Sequence, residues 1–400
     1  MRGWNGSGPG IHRVVGTLFL LSAVFCLLLN PAAPVFSEEN KTEEYKFEIS
    51  ETEKKPTHLG GYLEAMPILF GLDKNASLYK LNFYNRGIGG TTPEYDGTLQ
   101  LEGSLEKGLV RFYFKSNTAY TKNYAGEKTN SLLFEGNASF KPSPTFIGEI
   151  GKKTLNWGKG YAWNPAAFLD RQKNPDDPEL AREGVIVASL DYTKSWEGQA
   201  LKTFSFTPVL IPAYSGGVND DFGSTGNLNG AAKFYFLLYD TDIDLIFLTG
   251  GSKTARYGLD FSRNVTTNLE VHGEFSLITS NTKTTIDSNG NLFQTTSNAM
   301  NALLGLRYLT TRDTTYILEY YRNGQGYSNQ EMKDFFSFID KGYSQYTNTG
   351  NPSLLNRATN LAQGTYGKMT PELNYLYLRI SQKEPFDILY FTPAVTLLGN

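Results

Sequence analysis

"YDGTLQLEGSLE", Tyr95 to Glu106, is the stretch that decides the fold of this 400-residue chain. Tyr95, Gly97, Leu99, Leu101, Gly103 and Leu105 share one parity. Asp96, Thr98, Gln100, Glu102, Ser104 and Glu106 share the other. A β-strand sends successive side chains to opposite faces, so this alternation predicts a strand with one apolar and one polar face. A helix would repeat every 3.6 residues, and a strand buried on both faces would be apolar throughout.

The same pattern returns along the chain. Val110, Phe112 and Phe114 alternate with Arg111, Tyr113 and Lys115. Leu132, Phe134, Gly136, Ala138 and Phe140 oppose Ser131, Glu135, Asn137 and Ser139. Tyr257, Leu259 and Phe261 oppose Arg256, Asp260 and Ser262. Leu269, Val271, Phe275 and Leu277 oppose Glu270, His272, Glu274 and Ser276. Roughly 17 such segments can be read, most near the ~9–11 residues that a tilted membrane strand needs. With so many strands and no helices to cover a sheet, closure is the simplest way to remove the edges.

Composition agrees. Tyr (25), Phe (26) and Gly (40) are abundant, yet the mean hydropathy is −0.35. Many large rings in a polar chain suit a wall that is greasy on one side and wet on the other. Tyr95, Tyr192, Tyr257 and Tyr316 fall near strand ends, where interface girdles are expected. No run approaches 18 consecutive apolar residues, so no transmembrane helix is predicted.

The N-terminus has the pattern of a secretory leader. Arg2, His12 and Arg13 form a basic segment, Val14 to Leu29 an apolar one, and Val35 and Ser37 fit a cut before Glu38. Cleavage would remove Cys26, the only cysteine, and with it any disulfide or thiolate metal site. It would also remove two arginines and take the formal charge from −3 to −5, which is no nucleic-acid profile. The expected organisation is a leader over 1–37, a charged periplasmic lead over 38–57 with a short strand at Tyr45–Ile49, and a barrel over 58–400.

Connections alternate between short and long. Lys107-Gly108, Lys141–Pro144, Thr193–Glu197, Tyr239–Thr241, Asn264–Thr267, Thr310–Asp313 and Gln382–Pro385 are short. Asn117–Thr129, Lys152–Gly184, Ile211–Asn227, Ser280–Ser297 and Asn323–Thr370 are long, and Gly250–Lys253 is modest. Short periplasmic turns and long external loops characterise outer-membrane barrels. By this bookkeeping the last strand, Phe386–Leu398, runs outward, whereas bacterial barrels have an even strand count. The expectation is therefore about 18 antiparallel up-and-down transmembrane strands in the complete barrel, with at least one missing after Asn400.

The densest chemistry lies in "WGKGYAWNPAAFLDRQKNPDDPELAREG", Trp157 to Gly184. Its glycines and prolines define a turn-rich path. Trp157 and Tyr161 supply rings, Asp176, Asp177 and Glu179 acids, and Arg171, Lys173 and Arg182 bases. Two readings stand. The loop folds into the lumen and narrows it, its acids and bases setting the ion preference. Otherwise it is an external loop tied down by its own ion pairs and ring packing. The inward parity of the strands offers Glu102, Arg111, Lys115, Glu135, Lys233, Arg256, Asp260, Glu270, His272, Glu274, Arg307 and Glu319 as lumen-lining groups.

Trp157, Gly158, Gly160, Tyr161, Asn164, Pro165, Asp177, Pro178, Arg182 and Gly184 form a pattern of Trp-Gly-x-Gly-aromatic, Asn-Pro, Asp-Pro and Arg-x-Gly. It resembles segments of proteobacterial porin-like outer-membrane proteins, and the alginate-export type of barrel is similar. The motif covers under a tenth of the chain. The resemblance implies an 18-stranded channel for diffusion or export. A polyanion exporter should have a strongly basic lumen, whereas here Lys202, Arg322 and Arg379 join the inward bases while Asp96 and Glu149 join the acids, and the signs balance.

Other chemistries find little support. His58 and His272 are the only histidines after the leader. His272, Glu274 and Ser276 are spaced two apart on one strand face, roughly 7 Å per step, beyond hydrogen-bond reach of one another. Asp240 to Asp244, "DTDID", lacks the glycine and distal glutamate of a calcium loop and reads as a hairpin. "NQEMKDFFSFIDKGYSQY", Asn329 to Tyr346, places Met332, Phe335, Phe336, Phe338 and Ile339 as on a short amphipathic helix, which would lid the mouth, plug it or bind a partner.

The reading is thus a Gram-negative outer-membrane channel without catalysis, cofactor or metal. It would pass small hydrophilic solutes, sit among lipid and lipopolysaccharide, be inserted by the barrel-assembly machinery, and work as a monomer or homotrimer. The alternatives are a polysaccharide conduit and a structural or adhesion barrel with a plugged lumen.

Overall fold

The computed structural model describes residues 56–383 and 394–399. The leader, the lead segment with its strand at Tyr45–Ile49, the end of the Gln382–Pro385 turn and the part of the expected Phe386–Leu398 strand before Ala394 lie outside the described residues. Among the described residues, fifteen strands form one antiparallel sheet in strict sequence order. They are β1 (Thr57–Gly71), β2 (Thr91–Lys107), β3 (Val110–Asn123), β4 (Gly126–Ser143), β5 (Phe146–Lys153), β6 (Val185–Ser195), β7 (Leu201–Ala213), β8 (Asn227–Leu238), β9 (Thr241–Leu248), β10 (Arg256–Thr266), β11 (Leu269–Ile286), β12 (Leu292–Leu309), β13 (Thr314–Arg322), β14 (Asn374–Gln382) and β15 (Ala394–Gly399). This is an up-and-down antiparallel order. The described sheet is open, its edges being β1 and β15.

Alternation sorts the side chains as expected. On β2, Tyr95, Leu99, Leu101 and Leu105 are exposed on the outer face, while Gln100 is buried inside. On β11, Phe275 faces out, whereas His272, Glu274 and Ser276 are buried inside. Tyr95, Tyr257 and Tyr316 stand exposed near strand ends. Around β7 to β10 the outward rings touch in sequence: Phe206 on Phe234 with centroids 4.7 Å apart, Phe234 on Phe247 at 6.0 Å, and Phe247 on Tyr257 at 6.1 Å. Cross-strand aromatic pairs of this kind stabilise antiparallel strands while offering lipid a continuous apolar wall.

Two expected long loops are strand instead. Asn117–Thr129 contains the end of β3, a tight turn at Tyr124-Ala125 and the start of β4. Ser280–Ser297 contains the ends of β11 and β12 around a connection at 287–291. The reason is length: β4, β11 and β12 have 18 residues each, more than a bilayer needs, and the surplus carries polar side chains toward water and toward the other long connections. Thr118 with Ser131 and Thr282 with Thr296, each 3.0 Å apart, are hydroxyl pairs across these extensions. The other connections keep the expected sorting. One rim carries short turns such as 108–109, 144–145, 239–240 and 310–313. The opposite rim carries 72–90, 154–184, 214–226, 249–255 and 323–373. "DTDID" starts at the tight turn before β9, as read, and Asp240 pairs there with Lys202 at 2.5 Å.

The rim of long connections bears three helices: α1 (Ser77–Phe83), α2 (Asn329–Thr349) and α3 (Ser353–Gln363). The predicted amphipathic helix is α2, with Met332, Phe335, Phe338 and Ile339 buried against Leu78, Leu81, Leu355, Ala358 and Ile286. Phe335 stacks on Tyr366 with centroids 4.1 Å apart. Lys80 of α1 reaches Asp340 of α2 at 2.8 Å. A capping box starts α2: the Ser328 hydroxyl accepts from the Glu331 N–H, and the Glu331 carboxylate accepts from the Ser328 N–H at 2.7 Å. Ser328→Ala is expected to cost about 1 kcal/mol of local stability. Hydrogen exchange should read it as faster exchange confined to the first turn of α2, with β-strand amides unchanged.

Candidate functional site: a loop laid across the inner wall

The connection between β5 and β6, residues 154–184, turns inward and lies against the inner faces of β8 to β14. It crosses the sheet instead of standing over the rim, and its apolar side chains form core with the wall. Trp157, Ala166, Phe168 and Leu169 are buried with Val187, Val209, Ile211, Ile246 and Leu248. Trp163 packs on Tyr321, Tyr375 and Tyr377, with centroids 5.2, 5.7 and 5.9 Å away.

Carboxylates fix the path of its backbone. Glu274 on β11, 0% exposed, accepts the N–H groups of Lys159 at 2.7 Å, Gly160 at 2.6 Å and Ala166 at 2.8 Å. Glu319 on β13, also 0% exposed, accepts the N–H groups of Tyr161 and of Ala162, the latter at 2.8 Å. His272 Nε2 lies 2.7 Å from the same Glu319 carboxylate. Within the loop, Asp170 accepts from the N–H groups of Leu155, Asn156 and Trp157 at 2.8, 3.1 and 2.8 Å. An extended, turn-rich loop has no regular ladder to satisfy its amides, so buried acceptors must do so. Gly158 has φ of 90° and would bring a Cβ within 2.7 Å of Glu274 Oε1, so only glycine suits this bend. On β12, a Cβ at Gly305 would stand 2.0 Å from His272 Nε2, so the missing side chain is the space the imidazole fills.

The predicted loop residues divide by role. Trp157 is core, and Tyr161 lies under the Arg307 guanidinium at 5.8 Å. Lys173 Nζ donates to the Gly160 carbonyl at 2.6 Å, and burial, then Arg182, pulls its pKa below the ordinary lysine value. Arg182 donates to the Arg171 carbonyl at 2.9 Å and to Asn156 Oδ1 at 3.0 Å. Arg171 pairs with Asp221 at 2.6 Å and Glu183 at 3.6 Å. These bases brace the loop. The acids lie further along: Asp176 and Glu179 are exposed, and Glu179 comes within 3.8 Å of Arg379 on β14. Asp177 is half-buried, and that burial raises its carboxyl pKa.

The predicted lumen residues divide similarly. Glu102, Lys115 and Glu135 stand together at the root of the loop, with Lys115 Nζ 3.8 Å from Glu102 and 3.2 Å from Glu135, whose carboxylate also accepts the Thr154 N–H at 3.3 Å. Arg111 pairs with Glu106 at 3.4 Å, half-exposed. Arg307 and Glu270 are 3.8 Å apart. By contrast Asp260, His272, Glu274 and Glu319 are 0% exposed. They face inward as the alternation requires, but the loop covers them, so they do not line an open lumen. Lys233 is likewise turned toward the loop, over the Trp157 ring at 5.8 Å and 4.0 Å from Asp244. Arg256 faces inward beneath the same cover. Sequence reading missed Asp170, Trp163 and Asp244. A Trp beside Asn-Pro was a signal for Trp163; nothing local marked the two acids.

The three polar residues of the row His272, Glu274 and Ser276 have different partners. Ser276 Oγ accepts from Asn301 Nδ2 at 2.9 Å, Glu274 holds the loop, and His272 lies against Glu319.

No family model matches the chain, and no curated protein matches it. Solved structures do. A Salmonella typhi OmpF in complex with daunomycin is similar at a TM-score of 0.47 and 9% identity, over 86% of this chain and 90% of that one. A triple mutant of the Rhodopseudomonas blastica porin is similar at a TM-score of 0.42 and 9% identity, over 85% and 94%.

Proposed function

We propose that the protein is a bacterial outer-membrane channel for passive diffusion of small hydrophilic solutes, exported through a cleaved leader and narrowed by the 154–184 loop. The observation that carries this reading is the loop itself. Its backbone is laid across the inner wall by two buried carboxylates, which leaves its acidic stretch, Asp176 to Glu179, toward the remaining space. No covalent step is required: solutes would be sorted by the size of the gap and by its charges.

The mixed sign of the free wall supports small solutes over a polyanion. Lys115 lies between Glu102 and Glu135, Lys153 pairs with Glu149, and Lys152 pairs with Glu183 at 2.6 Å. Such pairs largely cancel at a distance and make no basic stripe. Lipid and lipopolysaccharide would meet the outer rings, the barrel-assembly machinery would insert the chain, and the channel would work alone or as a trimer.

The test is single-channel recording of the refolded full chain in a planar bilayer. Steady steps with weak ion preference are expected. Asp176→Asn with Asp177→Asn should lower the cation-to-anion permeability ratio by roughly twofold, read from the reversal potential in a salt gradient. A folded barrel that gives no steps would overturn the channel reading.

A further inference from the structure

Where the 154–184 loop meets the rim of long connections, two inward cations lack counter-ions. Arg256 opens β10, and neighbouring Tyr257 and Leu259 are exposed on the outer face, so its own parity points inside. Its Nε is buried without a hydrogen-bond partner, and no ion pair or hydrogen bond engages the rest of the guanidinium among the described residues. Asp260, the next acid on the same face, is roughly 13 Å along the strand. Phe168 and Ala166 fill the space between them over Gly258, where a Cβ would come within 3.1 and 3.3 Å.

Lys253 stands beside it in the 249–255 connection. Its Nζ donates to the Phe168 carbonyl at 3.2 Å and sits 3.9 Å above the Phe222 ring. Neither neighbour carries a charge. Burial, reinforced by Arg256 and Arg171 and opposed only by Asp221, brings its pKa down to about 7. Asp221 is already taken by Arg171 at 2.6 Å, and Arg171 is also 3.6 Å from Glu183.

Charges taken from water are costly unless paired. A guanidinium cannot escape by losing its proton, and its planar fork fits the oxygens of a carboxylate, phosphate or sulfate. The Phe168 carbonyl and the Phe222 ring hold the ammonium in place beside it. We propose that Lys253 and Arg256 form an oxyanion-binding site inside the mouth of the barrel, with Arg171 as its wall. Because Arg256 faces inward, the ligand is a dissolved anion and not a lipid headgroup. The site needs no conduction and stands apart from the acidic stretch of the loop.

The test is calorimetric titration of sodium sulfate into the refolded full chain in micelles at constant ionic strength, with chloride as control. Sulfate keeps its charge across the range, so any pH effect belongs to the protein. Saturable sulfate binding is expected at pH 6, weaker by roughly fivefold or more at pH 8.5 as Lys253 loses its proton beside Arg256, Arg171 and Asp221. Lys253→Gln with Arg256→Gln should weaken it by roughly tenfold or more, and Arg256→Lys should restore part of the loss. Heat-modifiable gel mobility reports that each variant is folded. Lipopolysaccharide or phosphatidylglycerol micelles, added alongside sulfate, should not displace it from the site. Absence of saturable binding by folded wild type, no change between pH 6 and 8.5, equal binding by the folded double variant, or displacement by lipid headgroups each overturns the proposal. Conductance in chloride is read separately, so sulfate binding by a silent barrel would sink the channel reading alone.

Discussion

Glu274→Ala should release the inward loop. Three loop amides donate to this one buried carboxylate, and alanine leaves all three without an acceptor where water does not reach. Removing one side of a buried charged contact costs roughly 3–5 kcal/mol, mostly for what is left unpaired. A barrel with this many ladder hydrogen bonds should survive that. The loop is the weaker element, so the loss should appear as a displaced or mobile 154–184 segment: larger and noisier conductance steps, and new protease cleavage between Lys159 and Arg182. Glu274→Gln is the informative partner. Its single amide oxygen can serve some of the three donors, and an intermediate phenotype is expected. If Glu274→Ala gave wild-type steps and an uncut loop, the carboxylate would not be what holds it.

Trp163→Ala attacks the same loop from its apolar side. The indole is 4% exposed among Tyr321, Tyr375 and Tyr377 on β13 and β14. Truncating a buried Trp costs about 3–5 kcal/mol through lost transfer energy and the cavity left behind. Thermal unfolding followed by circular dichroism should fall, and near-ultraviolet signal from the ring cluster should collapse. Glu319 holds the two amides just before this Trp, so Trp163→Ala and Glu319→Ala should be less than additive, because either change frees the same turn. Full additivity would mean that the two contacts act on separate units.

Much of this was legible in the sequence, for a physical reason. A wall one residue thick, with lipid on one side and water or protein on the other, writes its two faces as alternate letters. Tyr95 to Glu106 and Leu269 to Leu277 show it plainly. The alternation does not say what lies over the inward face. Glu274 and Lys115 have the same parity and similar neighbours, yet one is covered by a loop from more than a hundred positions earlier and the other is not. Nor does polarity distinguish a loop from a strand that has left the membrane. Thr282, Thr284 and Thr296 look like coil because their hairpin meets water and the polar groups of the 323–373 connection, as in the Asn281 to Gln325 and Lys283 to Glu331 contacts. The helix α2 was found because its own period carries the signal, whereas the ligands of loop amides are set by packing between distant segments.

The way the inward loop is held has a consequence for how such a protein can vary. Glu274 and Glu319 grip N–H groups, which every residue except proline supplies. Lys159 and Tyr161 add side-chain contacts with Asp244 at 3.4 Å and with Arg307, whereas Asp176 and Glu179 stand exposed, away from the amides the two carboxylates hold. Substitutions at Asp176 or Glu179 can therefore change what the gap admits while the course of the loop stays put. Filtering and scaffolding are separable here, and a lineage could retune the one through many single steps without rebuilding the other.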